Sequence, residues 1–234
     1  QMHSGMAPIQ QFDASHFPVQ FAAEVKNYQP RCHRTGKHHR FIMPFTQFAI
    51  DAADEALQDA GITPRTVSDG NRFGVVTGSG MMTGDFDHLE RFQTCSAPDA
   101  EKAVDWSKLL EHGDAFYRMD DFGRTASNSG LSLLIQEFGI TGYANSVHTA
   151  CASGGQALGL ALEVIRRGEA DYMLAGGFDS MINPLGVSSF CLLGALASDN
   201  HQPEAASRPF DGTRNGFVLG EGAAFLVLED LEKA

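Results

Sequence analysis

Residues 145–168 read NSVHTACASGGQALGLALEVIRRG, and the fold turns on this stretch. Ala144–Thr149 has the length and composition of a short strand. Ala152–Arg167 is a strongly apolar run at helical spacing, closed by Arg166, Arg167 and Gly168. Cys151 stands between the two. Amide N–H groups at a helix start and the positive end of the helix dipole favour a thiolate over a thiol. A sharp strand-to-helix turn also lifts a side chain out of the sheet, as a nucleophile elbow does. Ala150, Ala152, Ser153, Gly154 and Gly155 are all small, so another backbone or a substrate can come close. A buried structural thiol is the ordinary alternative for a free cysteine, and spacing alone leaves both readings open.

Outward from this stretch the pattern alternates. Asp171–Gly176 reads as a buried strand, and Ala223–Glu229 as another after Gly-Glu-Gly. Upstream, Ser127–Phe138 reads as a helix stopped by Gly139, and Arg72–Thr77 as a buried strand running into GSGMMTG (residues 78–84). That glycine-rich turn lacks both GxGxxG and a following GK[ST], so it is neither a dinucleotide nor a P-loop signature. PFTQFAIDAADEALQDAG, from Pro44 to Gly61, has apolar residues at helical spacing with Gly61 as its stop. Apolar strands alternating with helices make the fold class α/β, a mostly parallel sheet with helices packed on it. Residues 1–40 are irregular, with one edge strand near Phe21–Val25, and residues 85–122 read as a helical excursion with loops around the sole Trp106. No linker, low-complexity segment or internal repeat divides the chain.

Composition narrows the function. The chain has 234 residues, 43% hydrophobic, and a formal net charge of −12. An acidic balance argues against a nucleic-acid or anionic-membrane binder. No apolar run approaches the roughly 20 residues of a spanning helix, and the first residues have no signal-peptide pattern. Four cysteines at 32, 95, 151 and 191 form no CxxC pair or disulfide framework, which suggests a reducing compartment and a cytoplasmic protein. Against this acidic background PRCHRTGKHHR (residues 30–40) concentrates Arg31, Arg34, Lys37 and Arg40 without an acid. A solvated loop is the common fate of such a run; complementarity to an acidic partner is the other. Cys32, His33, His38 and His39 match no standard zinc spacing, so no metal is expected.

TACASG (149–154), DYMLAGGFDSMINPLGVSSF (171–190) and ASRPFDGTRNGFVLGEGAAFLVLED (206–230) resemble the β-ketoacyl-[acyl-carrier-protein] synthases, elongating fatty-acid type. The resemblance runs from about SGMAPIQQFD to the final LEDLEKA. It implies a thiolase-like fold, layered α/β/α/β/α, of which this chain holds mainly the N-terminal, nucleophile-bearing half. It implies an acyltransferase, and Cys151 as the nucleophile that takes an acyl chain from the carrier protein, its own N–H forming part of an oxyanion hole. Met81, Ala150 and Phe190 match acyl-pocket positions, although Met81 and Phe190 suit a plain core equally well. Arg34, Lys37 and Arg40 match a stretch that docks the acyl carrier protein. A homodimer is implied, and no cofactor beyond the phosphopantetheine arm that the carrier protein supplies.

The family's two catalytic histidines lie in motifs downstream of the nucleophile, and the only histidine after Cys151 is His201, in neither motif. The family's opening strand and most of the helix after it are missing from the resemblance too. The expectation is therefore a single domain, residues 1–234, lacking the first strand and the C-terminal half and incomplete for condensation alone. A discrete polyketide or aryl-polyene ketosynthase shares every motif, and a non-catalytic chain-length subunit is a further alternative against which an intact Cys151 argues. His148 lies three residues before Cys151, but strand alternation sends the two apart, so a packed or hydrogen-bonded histidine is expected. Glu221 and Asp211 are expected to hold the RPFDGTRNG loop through Arg208 and Arg214.

Overall fold

The alternation of strand and helix expected after residue 42 is present. The structure, a computed structural model, describes residues 4–30, 42–80, 90–91, 94, 105–111, 113, 123 and 125–233. In chain order its elements are β1 (Ala7–Pro8), β2 (Phe21–Ala22), α1 (Pro44–Ala60), β3 (Phe73–Gly78), α2 (Trp106–Glu111), α3 (Ser129–Phe138), β4 (Ala144–Val147), α4 (Ser153–Arg166), β5 (Tyr172–Ser180), α5 (Pro184–Leu192) and β6 (Glu221–Glu229). They fall into two compact units. One comprises residues 30–179 and 223–234, the other residues 1–29 and 180–222.

In the larger unit, β4, β3, β5 and β6 lie side by side in that order among the described residues. β3 pairs parallel with both β4 and β5, with Val75 opposite Ala144 and Leu174, and Gly78 opposite Val147 and Gly177. Every residue of β3 is buried, as expected of a central parallel strand covered on both faces. The period of two divides its side chains. Phe73 and Val75, with Leu174 and Phe178 of β5, join a core with Ala49, Ala53 and Leu57 of α1 and Leu131 and Leu134 of α3. Val76, with Met173 and Ala175, joins another with Ala157, Ala161 and Val164 of α4. Each fully buried aliphatic side chain contributes about 1.5–3 kcal/mol, so the two faces together make the sheet the stable part of this unit. The expected glycine stops Gly61, Gly139 and Gly168 all take positive φ at the ends of α1, α3 and α4.

At the carboxyl end of the strands the side chains disappear. Gly78 and Gly177 are cross-strand partners on the face that carries α4. A Cβ at Gly78 would lie 2.5 Å from the carbonyl carbon of Ser153, and one at Gly177 3.4 Å from Cα of Gly154. The first turn of α4 therefore rests directly on strand backbone. At the opposite end Arg72 Nη2 donates to Asp171 Oδ1 at 2.6 Å and Nη1 to the Gly168 carbonyl at 3.2 Å. That guanidinium holds the Asp171 carboxyl below its usual range.

In the smaller unit β1 and β2 pair antiparallel, shorter than the edge strand read at Phe21–Val25. Val19, Phe21 and Ala22 pack with Ile182, Val187, Leu196, Ala197 and Leu219. α5 was not anticipated from the sequence. Its signal was the Asn-Pro at its start: the Asn183 side chain accepts from Gly186 N–H at 2.8 Å, and Pro184 occupies the first turn. Leu185, Val187, Phe190 and Leu192 distribute around α5 rather than along one face, which hid it from a periodicity search. The pairing expected of Glu221 and Asp211 is corrected here. Glu221 accepts from Gln11 Nε2 (3.0 Å), Val25 N–H (2.9 Å) and the Ser180 hydroxyl (2.8 Å). Asp211 accepts from the Thr213 N–H and hydroxyl, both at 2.7 Å, which lowers its pKa. Arg208 and Arg214 do hold the loop, but by donating to the carbonyls of Ala205, Thr213 and Asp211. The turn fixes these carbonyls within reach of both guanidiniums, while the Asp211 carboxylate is taken up by Thr213.

Two glycine substitutions have opposite expected signs. Gly78→Ala forces a methyl into Ser153 and lowers unfolding free energy by about 2 kcal/mol or more. Gly159→Ala, in α4 with nothing within 4 Å of its Cβ position, raises it by up to about 1 kcal/mol. Urea unfolding of the two variants beside the parent chain checks both.

Candidate active site

β4 ends at Val147, a 3-10 turn covers Ala150–Ala152, and α4 begins at Ser153. Cys151 sits in that turn with its side chain exposed and its thiol free. Parallel α/β sheets place ligands beyond the carboxyl ends of their strands, and this turn is at such an end. Ala150 has φ +53°, in the left-handed region that costs a Cβ-bearing residue about 1–2 kcal/mol. Conformations of that kind persist only where the surroundings hold them.

What holds this one is a buried hydroxyl. Ser153 is 2% exposed. Its Oγ accepts the Thr149 N–H at 2.8 Å and lies 2.8 Å from the Ser79 carbonyl and 2.7 Å from the Ala150 carbonyl, so its one proton is shared between two acceptors. Thr149 Oγ1 donates to Gln156 Oε1 at 2.6 Å. The Ala152 N–H reaches the Thr149 carbonyl at 3.3 Å and closes the turn. His148 is hydrogen-bonded, as expected: Nδ1 is 3.0 Å from Ser79 Oγ and Nε2 3.0 Å from Ser146 Oγ. The residues on both sides of Cys151 are thus fixed while the thiol itself faces solvent. No acid stands in the first turn of α4, so nothing there offsets the positive end of the helix dipole. Cβ positions at Gly154 and Gly155 meet nothing within 4 Å, which leaves open space beside the turn.

Among the other expected site residues, Ala150 adjoins Cys151 and contributes its strained backbone. Phe190, near the end of α5, belongs to the smaller unit, half-buried with its ring edge-on to Phe217 at 5.5 Å. Met81, Arg34, Lys37 and Arg40 lie outside the described residues, as do Cys32, His33, His38 and His39. Among the described residues no group of three His, Cys, Asp or Glu side chains is placed to hold a metal, and no helix is long and apolar enough to cross a membrane. Sequence reading missed Ser153 and Ser79 as parts of the site, taking Ser153 only as small. A serine at the first position of a helix, two residues after the candidate nucleophile, was the available signal.

Cys151 thus stands exposed on a strained turn between a parallel strand and a helix covered on one side, in an α/β fold. The chain belongs to the β-ketoacyl synthase family: the family model for the "Beta-ketoacyl synthase, N-terminal domain" matches residues 3–234. It is 36% identical over 231 residues to a 3-oxoacyl-[acyl-carrier-protein] synthase 2 of Coxiella burnetii, covering 99% of this chain and 52% of that protein. The crystal structure of a β-ketoacyl synthase from Burkholderia phymatum STM815 superposes with a TM-score of 0.79 at 27% identity, over 99% of this chain and 53% of that one. A type II polyketide acyl-carrier protein in complex with its ketosynthase bound to the hexaketide gives 0.75 at 30% identity, over 98% and 52%. The fold is thus α/β and thiolase-like. The chain spans about half the length of the curated relatives it matches.

Ser153→Ala removes the hydroxyl and strands the Thr149 N–H. It is expected to lower unfolding free energy by about 1–3 kcal/mol, whereas Ala150→Gly, relieving the positive φ, raises it by about 1 kcal/mol. Thermal denaturation of both variants checks this pair.

Proposed function

We propose that Cys151 is the nucleophile of a β-ketoacyl-[acyl-carrier-protein] synthase of the elongating fatty-acid type, and that residues 1–234 are its N-terminal, nucleophile-bearing domain. One observation carries the reading: an exposed thiol on a positive-φ turn, clamped from beneath by a buried serine, at the start of α4. Sγ adds to the carbonyl carbon of an acyl thioester on the carrier protein. The tetrahedral oxyanion is met by the N–H of Cys151 itself, the bond to the phosphopantetheine sulfur breaks, and the acyl group stays on Cys151. In the second half-reaction a malonyl thioester loses carbon dioxide. Its enolate carbon attacks the acyl carbonyl, the bond to Sγ breaks, and a 3-oxoacyl thioester two carbons longer departs. His201 is the only histidine after Cys151, and it lies in an exposed turn with its N–H on Asp199 Oδ1 at 3.1 Å. Acylation of Cys151 is the step proposed for residues 1–234.

The reading needs no cofactor beyond the phosphopantetheine arm of the carrier protein. Arg34, Lys37 and Arg40 are its proposed docking residues, and Met81, Ala150 and Phe190 its proposed acyl-pocket residues. The exposed Ala144 and Asn145 of β4, the first strand in the sheet order, support a homodimer paired along that edge. The free thiols of Cys151 and Cys191 suit a reducing compartment such as the cytoplasm. A discrete polyketide ketosynthase is the second reading. It is supported by the likeness to the ketosynthase caught with its acyl-carrier protein, and chain-length preference separates the two.

With limiting iodoacetamide near neutral pH, Cys151 is expected to be alkylated at least about tenfold faster than Cys32, Cys95 or Cys191. Peptide mass mapping reads the order. Equal rates for all four thiols sink the proposal.

A further inference from the structure

We infer that His148 is a positioning residue for Cys151, an inference that rests on the nucleophile reading above. The ring stands at the end of β4 and bridges two strands, Nδ1 to Ser79 Oγ just past β3 and Nε2 to Ser146 Oγ within β4, each at 3.0 Å. A neutral imidazole offers one donor and one acceptor, and the two serine hydroxyls rotate to match, so either tautomer satisfies both contacts. Ser79 is the link to the turn. Its N–H donates to the Val147 carbonyl at 3.2 Å, its carbonyl accepts from Ser153 Oγ at 2.8 Å, and its hydroxyl is held by His148. Ser153 Oγ in turn accepts the Thr149 N–H and reaches the Ala150 carbonyl, the two residues that set where Cys151 points. His148, Ser79, Ser153 and Thr149 thus form a ring of contacts that begins and ends within the four residues 148–151. The turn it encloses contains the strained Ala150. Without His148 the Ser79 hydroxyl loses its anchor, its carbonyl shifts relative to Ser153, and Ala150 relaxes toward ordinary φ. Cys151 then spends less time in its attacking orientation, although the cores beneath are untouched, because His148 is exposed and belongs to neither.

The two ring nitrogens are separable by substitution. An asparagine at 148 places an amide near the Nδ1 position and keeps the Ser79 contact; a glutamine reaches toward the Nε2 position and keeps only Ser146. The experiment measures iodoacetamide alkylation rates of Cys151 and Cys191 in this chain by peptide mass mapping, beside the thermal midpoint. His148→Ala is expected to slow Cys151 roughly three- to tenfold, the equivalent of about one hydrogen bond. Cys191 keeps its rate, and the midpoint moves by less than about 3 °C. His148→Asn restores most of the rate and His148→Gln does not. Ser79→Ala, which keeps the carbonyl, is as slow as His148→Ala, and the double variant is no slower than either. A His148→Ala chain alkylated at the parent rate, or one no slower than His148→Asn, overturns the inference. A parent chain in which Cys151 is no faster than Cys191 overturns the nucleophile reading instead, and is seen before any variant is compared.

Discussion

The first turn of α4 has to sit on bare strand backbone, and the rest of the site depends on that seat. Gly78 and Gly177, paired across β3 and β5, leave no side chain between the sheet and Ser153–Gly154. Only at that height does the Ser153 hydroxyl reach the Ser79 carbonyl on one side and the Thr149 N–H on the other. A methyl group at either strand end would lift the helix by a few tenths of an ångström or more. Interiors packed at crystal density have no slack to absorb that shift. The same Ser153 hydroxyl reaches the carbonyl of Ala150, the residue at positive φ. Sheet, serine and strained turn are therefore one device, and Cys151 is the residue it presents.

The division of labour between the two faces of the sheet follows from this. The face carrying α1 and α3 is an ordinary apolar core, with Phe73, Val75, Leu134 and Leu174 at its centre, and it supplies stability. The face carrying α4 trades side-chain volume for closeness at one end. It recovers burial further along through Val76, Met173, Ala161 and Val164. Along α4, Ala157, Ala161 and Val164 point to the sheet, while Leu162 is 40% exposed and Gly155 and Gly159 face open space. A helix this apolar, with one side covered, keeps apolar surface exposed on the other.

Much of the fold was readable from the chain, for identifiable reasons. α1, α3 and α4 carry apolar residues at helical spacing and end at glycines, so period and stop signal agreed, and β3 and β5 each open on an apolar run. α5 was not readable, because its apolar residues surround it and only Asn183-Pro184 marked its start. Strand ends were misplaced where glycine replaced an apolar residue: β3 extends to Gly78 and β5 to Ser180, past the points where hydrophobicity fades. At the site, Cys151 stood out by its place between strand and helix. The residues that position it did not, since Ser79 is distant in sequence and Ser153 and His148 act through contacts that only the fold creates. The arginines of the RPFDGTRNG loop show the same limit, because charge suggested carboxylate partners and geometry supplied carbonyls.

The role proposed for Cys151 is that of an acyl acceptor. The most direct measurement is peptide mass mapping of the chain after incubation with an acyl thioester of acyl carrier protein. The expected result is the mass of the acyl group on the peptide containing Cys151, lost on treatment with hydroxylamine and missing from a Cys151→Ala chain. An acyl adduct on another cysteine, or none on Cys151 in the folded chain, contradicts it.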